Sequence, residues 1–428
     1  MKVLMFGWEF PPHIAGGLGT ACYGMTKGLA ENGVEVLFVM PSAYGDEDQS
    51  SVKIINASDV SCNVAIEDID EFFEKVKFLR IGSNMVPYLS PEEFEETVEE
   101  EKERQKKEFR IQFGSKYRFS GKYGKNLMEE VARYAAVGAE VAMENDFDVI
   151  HAHDWLTYLA GVAAKNVSGK PLVIHVHATE FDRSGENINT EVYRIEKAGM
   201  EAADRVITVS DLTRNIVINK YGIDPGKVVT VHNAVDFEGR GEVDMPRSVK
   251  EKVVTFLGRI TFQKGPEYFI EAAALVLKKC DNVRFVMAGS GDMLNRCVRH
   301  VAKLGIADRF HFTGFLRGAD VYKMFALSDV YVMPSVSEPF GISPLEAMKT
   351  NVPAIISKQS GVAEVLKYAI KVDFWDINAM ADAIYALVNY PAISAMAARC
   401  GKDEVNALKW TAAAARIKKV YEEVIEND

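Results

Sequence analysis

Asp329-Val330-Tyr331-Val332-Met333-Pro334-Ser335-Val336-Ser337-Glu338-Pro339-Phe340-Gly341-Ile342-Ser343-Pro344-Leu345-Glu346-Ala347-Met348 decides how this chain is read. The apolar residues up to Met333 suit a buried strand, and Pro344 suits the first turn of a helix, where its missing N–H costs nothing. Glu338 and Glu346 bracket the strand-to-helix turn with seven residues between them. A helix N-terminus offers free backbone N–H groups and a partial positive charge, which makes it a seat for a diphosphate. Glu338 is placed to reach sugar hydroxyls on one side of such a group, and Glu346 ribose hydroxyls on the other. The pattern implies a grip on a nucleotide sugar, with a second domain required to bring the acceptor.

Outward from this turn, short apolar runs alternate with longer helical patterns almost end to end. The runs fall at 34–40, 149–153, 172–177, 206–210, 228–232, 253–258, 284–288 and 354–357. Continuous Val/Ile-rich runs separated by helices indicate parallel strands covered on both faces. The fold class is α/β, with two Rossmann-like doubly wound domains. The polar stretch 236–252, with Gly239, Gly241 and Pro246, reads as the linker between them. That places a first domain at 1–238 and a second at 250–400. A helical pattern at 402–428 is expected to pack back toward the first. Residues 91–110 are densely charged and read as a solvated helix within an insertion at about 90–125, with a lid or subunit contact as the alternative.

At 428 residues the chain exceeds one ordinary core. A formal net charge of −11 argues against nucleic acid or an anionic membrane as partner, so local cations must hold any anionic ligand. Cys22, Cys62, Cys280, Cys297 and Cys400 are scattered and lack CxxC spacing, as expected of reduced thiols. No run suggests a signal peptide or membrane span, and the expected location is cytoplasmic.

Three further stretches carry chemistry. In 11–20, Gly16, Gly17 and Gly19 precede a helical pattern and would let backbone approach a phosphate; GxGxxG and P-loop spacing are absent, so a dehydrogenase or kinase reading fails. Val149-Ile150-His151-Ala152-His153-Asp154-Trp155 puts two histidines and an aspartate at a strand's carboxyl end, where doubly wound sheets bind ligands. His153, nearest the end, is expected to face the cleft with Asp154 beside it, and His151 to point away. His175 and His177 close the next strand. Gly258-Arg259, ending a strand, and Lys264-Gly265, opening a helix, are expected to converge two cations on one diphosphate. The glycine turn at 288–292 reads as structural or as the edge of the nucleotide pocket. The Asp-x-Asp triplets at Asp46/Asp48, Asp68/Asp70 and Asp146/Asp148 lie away from this grip, so no metal and no cofactor are expected.

Together these pieces resemble retaining glycosyltransferases of the two-Rossmann-domain (GT-B) kind, nearest to bacterial and archaeal glycogen (starch) synthases. The matching residues are Gly16-Gly17-Leu18-Gly19, His151 to Trp155, Gly258-Arg259, Gln263-Lys264-Gly265, and Glu338-Pro339-Phe340-Gly341 with Glu346. Two positions depart. Ile14 stands where these synthases carry a Lys, and Gln359-Ser360-Gly361 where they carry Thr-Gly-Gly. The resemblance implies two domains facing a cleft, with ADP- or UDP-glucose as donor and the non-reducing end of an α-1,4-glucan as acceptor. It implies catalytic roles for His153, Glu338, Arg259 and Lys264. Donor binding falls to Gly16, Gly17, Phe340, Gly341, Ile342 and Glu346, and acceptor-side roles to Asp154 and His177. The other readings are a transferase of the same class with a sucrose-type, trehalose-type or lipid acceptor, a sugar-nucleotide epimerase, and a glucan-binding protein without activity. Oligomeric state stays open, a homo-oligomer included.

Overall fold

A computed structural model describes residues 1–13, 17–62, 115–122, 124, 126–235 and 249–427. Residues 236–248 of the linker, the charged 91–110 stretch and Asp68/Asp70 lie outside them. The chain forms two compact units, Met1–Ala234 with Trp410–Asp428, and Val235–Lys409.

Unit 1 is built on a parallel sheet of β1 (Lys2–Phe6), β2 (Glu35–Met40), β3 (Lys53–Asn56), β6 (Val149–His153), β7 (Leu172–Val176), β8 (Arg205–Thr208) and β9 (Val228–Thr230). The order is β3-β2-β1-β6-β7-β8-β9, and β4 (Ser61–Cys62) pairs antiparallel with β5 (Ser115–Lys116) beside it. Both sheet faces are covered, so the inner strands β1, β2, β6, β7 and β8 are buried almost throughout rather than alternating. Leu4, Phe6, Leu37 and Val39 face helices Leu127–Glu144 and Trp155–Ser168. Val3, Met5, Val36 and Phe38 face helices Gly17–Glu31 and Trp410–Glu426.

Unit 2 carries β10 (Lys252–Leu257), β11 (Val283–Ala288), β12 (Phe310–Gly314), β13 (Val330–Met333), β14 (Ala354–Ser357) and β15 (Ile370–Val372). All are parallel, in the order β12-β11-β10-β13-β14-β15. Each sheet reverses its winding once, between β1 and β6 and between β10 and β13. Ligands of such sheets bind beyond the carboxyl ends of strands at that reversal.

The helical pattern at 402–428 proves to be parts of two helices. Pro391–Ala407 belongs to unit 2 and Trp410–Glu426 to unit 1, with Leu408 extended at φ −81°, ψ 94° between them. The second helix lies close against Gly17–Glu31 because two glycines leave room. A Cβ at Gly24 would stand 2.1 Å from Trp410 Nε1, and one at Gly28 would stand 2.6 Å from the Trp410 carbonyl oxygen. Among the described residues no helix is long and apolar enough to cross a membrane.

Candidate active site

In unit 2 the loop after β10 carries Gly258-Arg259, then a 3-10 turn at Phe262–Lys264 and helix Pro266–Leu277. Gly265 sits at φ 62°, and a Cβ there would fall 2.1 Å from the Pro334 carbonyl oxygen. Glycine is therefore what lets the loops after β10 and β13 touch; the Val336 amide then donates to the Gln263 carbonyl at 2.9 Å. Gly289, at φ 144°, does the same for the glycine turn after β11, bringing its Cα against the Gly258 carbonyl.

On this scaffold Lys264 Nζ pairs with Glu338 Oε2, the two side chains being 20% and 10% exposed. The wholly buried Ser335 donates its hydroxyl to the same oxygen at 3.2 Å. The Glu338 backbone is pinned by its amide on Gln359 O (3.0 Å) and by Gly361 N on its carbonyl (2.9 Å). Lys264, Ser335, Glu338, Gly258 and Ser343 line a depression at the carboxyl ends of β10 and β13. Charge, hydroxyl and backbone groups thus meet where a doubly wound sheet binds its ligand.

The other residues expected here are distributed around it. Arg259 is exposed and its Nη2 donates to Gln263 Oε1 at 3.1 Å. Gly341, at φ 101°, takes the left-handed backbone its turn requires. Phe340 is buried, at 3% exposed, so its ring fills the interior and the turn offers backbone rather than an aromatic surface. Ile342 precedes helix Ser343–Lys349, in which the half-buried Glu346 accepts from Tyr322 OH at 3.4 Å. Gln359, one of the two departures, turns its amide to Asp373 Oδ1 at 2.9 Å and Ser357 Oγ at 3.0 Å.

In unit 1 the expectation for His151 is corrected. Residues two apart on a strand share a face, so His151 and His153 lie together with ring centroids 4.2 Å apart. His175, opposite His153 in the register, and His177 complete a layer of four imidazoles. His153 Nδ1 is 2.9 Å from His177 Nε2, and His151 Nδ1 is 2.5 Å from Tyr421 OH. Nε2 of His151, Nε2 of His153 and both nitrogens of His175 are buried without a hydrogen-bond partner among the described residues. Burial holds His151 and His177 down at about 3, and lowers His153 and His175 well below the usual histidine range, with the neighbouring rings adding to the effect. The layer is neutral at pH 7.

Asp154 does not face outward as an acceptor group. It sits at φ 58°, ψ 169°, a conformation that costs a non-glycine residue strain and so marks a position held by its surroundings. Its Oδ1 accepts from the His177 amide at 2.7 Å and the Ala178 amide at 3.3 Å, fixing the loop that carries His177. Burial pushes its carboxyl up to about 6, against the pull of Arg183 and those two amides. Gly16 lies outside the described residues, and Gly17 is exposed at the start of helix Gly17–Glu31. The first turn of that helix already has an anion: the buried Glu9 accepts from Gly19 N at 3.1 Å. Asp46 pairs with His13, Asp48 accepts from Tyr23 OH, and Asp148 accepts from Lys2 N at the amino end of the sheet.

Within unit 1, two groups of described residues have donor atoms within 4.8 Å of one another: His151/His153/His175 and Cys22/His153/His177. Neither presents a converging donor set. The His151 and His175 rings stack with 8° between their planes, so their lone pairs run side by side. Burial, with Glu9 and Asp154, keeps the Cys22 thiol well above its usual range and hence protonated.

The family model described as starch synthase catalytic domain matches residues 2–230, and the one described as glycosyl transferases group 1 matches residues 243–404. An uncharacterized glycosyltransferase of Methanocaldococcus jannaschii is 27% identical over 86% of this chain and 84% of its own length. A glycogen synthase of Mycobacterium tuberculosis is 22% identical over 98% of this chain and 94% of its own. The solved sucrose-phosphate synthase from Thermosynechococcus elongatus superposes with TM-score 0.70 at 18% identity, covering 100% of both chains, and shares the fold.

Proposed function

The chain belongs to the starch synthase catalytic domain family and is a glycosyltransferase of two Rossmann-like domains, and from that premise we propose that it moves glucose from ADP- or UDP-glucose to the non-reducing end of an α-1,4-glucan with retention of configuration. The observation that carries this reading is the Lys264–Glu338 pair, braced by Ser335 at the reversal between β10 and β13. A cation beside a hydrogen-bond acceptor suits a substrate that is anionic at its diphosphate and neutral, hydroxyl-rich at its sugar.

In this reading Lys264 takes charge developing on the leaving diphosphate, and Arg259 turns from Gln263 to join it. Glu338 holds hydroxyls of the transferring glucose, and Glu346 holds the ribose. His153, neutral, offers Nε2 to the 6-hydroxyl side of the sugar. The acceptor hydroxyl attacks from the face the diphosphate leaves. Arg259 and Lys264 neutralise the diphosphate without a required metal ion. Lys264→Ala and Glu338→Ala are each expected to cost about 3 kcal/mol of transition-state stabilisation, roughly 150-fold in turnover, the scale of one preorganised charge. Steady-state rates of nucleoside diphosphate release check this, and wild-type turnover in either variant overturns the assignment.

Gln359 favours a second reading within the same class. Its side chain is committed to Asp373 and Ser357, where the synthases this chain resembles place a small Thr-Gly-Gly turn. A different hexosyl donor or a non-glucan acceptor fits that altered wall. A panel of donors, each with glucan and with short saccharide acceptors, separates the two.

A further inference from the structure

Tyr421 lies 270 positions beyond His151, yet it reaches the imidazole layer from helix Trp410–Glu426. The helix is pinned along Gly17–Glu31 at several points. Trp410 packs against Gly24 and Gly28, Asn32 Nδ2 donates to Thr411 O at 3.0 Å, and Lys418 Nζ donates to Asn32 O at 2.9 Å. Tyr421 is wholly buried with its hydroxyl 2.5 Å from His151 Nδ1. A phenol in this position keeps its proton at pH 7. The hydroxyl has no other acceptor among the described residues, so donation to Nδ1 is what satisfies it, and that places the His151 proton on Nε2.

That contact propagates by packing. The His151 ring lies 4.2 Å from that of His153 and 5.3 Å from that of His175, at centroids. His153 is thus boxed by His151 and His175 and tied through Nδ1 to His177. Turning the His151 ring would open one wall of the box. The geometry points to Tyr421 as a positioning residue that fixes the tautomer and ring orientation of His151, and through that ring the direction of His153 Nε2. This rests on the reading of His153 as the group that contacts the sugar.

Tyr421→Phe in the full chain removes one O–H and keeps the ring. The expected result is a kcat lower by about 5- to 10-fold with donor KM unchanged, the scale of one lost buried hydrogen bond acting on an oriented group. A purely structural role would lower the melting temperature and leave kcat alone. Long-range 1H–15N spectra of the imidazoles supply a readout independent of turnover. Wild-type His151 is expected as the pure Nε2–H tautomer and Tyr421→Phe as a mixture. A wild-type His151 protonated at Nδ1 overturns the inference without any variant. His153→Ala run alongside separates the two claims. If it is impaired while Tyr421→Phe turns over normally, positioning fails and the sugar contact stands. If His153→Ala keeps full turnover, the sugar contact fails first.

Discussion

Acidification is expected to destabilise unit 1 through its imidazole layer. His151 and His177 hold folded pKa values of about 3, against about 6.5 in an unfolded chain. Above the unfolded value both states are neutral and nothing is lost. As pH falls below it only the unfolded state takes the proton, so stability drains until the folded value is reached. At pH 5 each such ring costs about 2 kcal/mol, at about 1.36 kcal/mol per pH unit. His153 and His175 shift in the same direction and add to the loss. Two carboxyls oppose them. Burial raises Glu196 to about 7 and Asp154 to about 6. A raised acid is fully stabilising below its unfolded pKa and loses that as pH rises through its folded one. Acidification from pH 7.5 to 5 therefore restores about 2 kcal/mol from Glu196 and about 1.5 from Asp154. The two rings at about 3 already match the two carboxyls, and His153 and His175 tip the balance, so the net is a loss of stability on acidification. Urea unfolding at pH 7.5, 6.5, 5.5 and 5, followed by fluorescence of Trp8, Trp155 and Trp410 in the Trp375→Phe background, measures it. His175→Gln should flatten the slope below pH 6.5. Stability flat or rising toward pH 5, or an unchanged slope in His175→Gln, refutes the reasoning.

Other outcomes follow from particular contacts. Gly289→Ala would set a Cβ 1.8 Å from the Gly258 carbonyl oxygen at φ 144°; thermal unfolding should show a loss of at least about 2 kcal/mol, with turnover falling as the Arg259 turn shifts. Trp410→Ala empties the Gly24/Gly28 groove and should cost about 3 to 5 kcal/mol by urea titration. Arg183→Met leaves Glu180 and Glu196, at 1% and 2% exposed, without their cation; about 3 kcal/mol of destabilisation at pH 8, shrinking toward pH 6 as Glu196 protonates, is expected. Ser335→Ala removes one donor from Glu338 and should lower kcat a few-fold without shifting the melting temperature by more than about 2 °C, because the hydroxyl serves a ligand-facing carboxylate.

The doubly wound sheets were legible because buried parallel strands must be continuously apolar, and the runs ending at His153, His177, Gly258 and Met333 say so directly. Lys264 and Glu338 were legible for a related reason: in such sheets, chemistry gathers in loops at strand carboxyl ends. What chain pattern could not show is pairing across distance. That Lys264 rests on Glu338 depends on Gly265 letting two loops touch. Ser335 was within reach, three residues before Glu338 on the same turn. Glu9 could have been noticed as the carboxylate nearest the glycine-rich turn, but its hold on Gly19 N needs the bend between them. His151 was misplaced by misapplied alternation, since a two-residue step returns to the same face. Tyr421 left no local signal, because its role depends on a helix that joins unit 1 only after unit 2 is complete.

The most direct test is nucleoside diphosphate release from ADP-glucose and from UDP-glucose, each with and without a maltooligosaccharide, with the saccharide product sized in the same reaction. Glucan-dependent release from one of the donors, with a product one glucose longer, is the predicted result. No release from either donor in the presence of glucan, or release without elongation, contradicts the synthase reading.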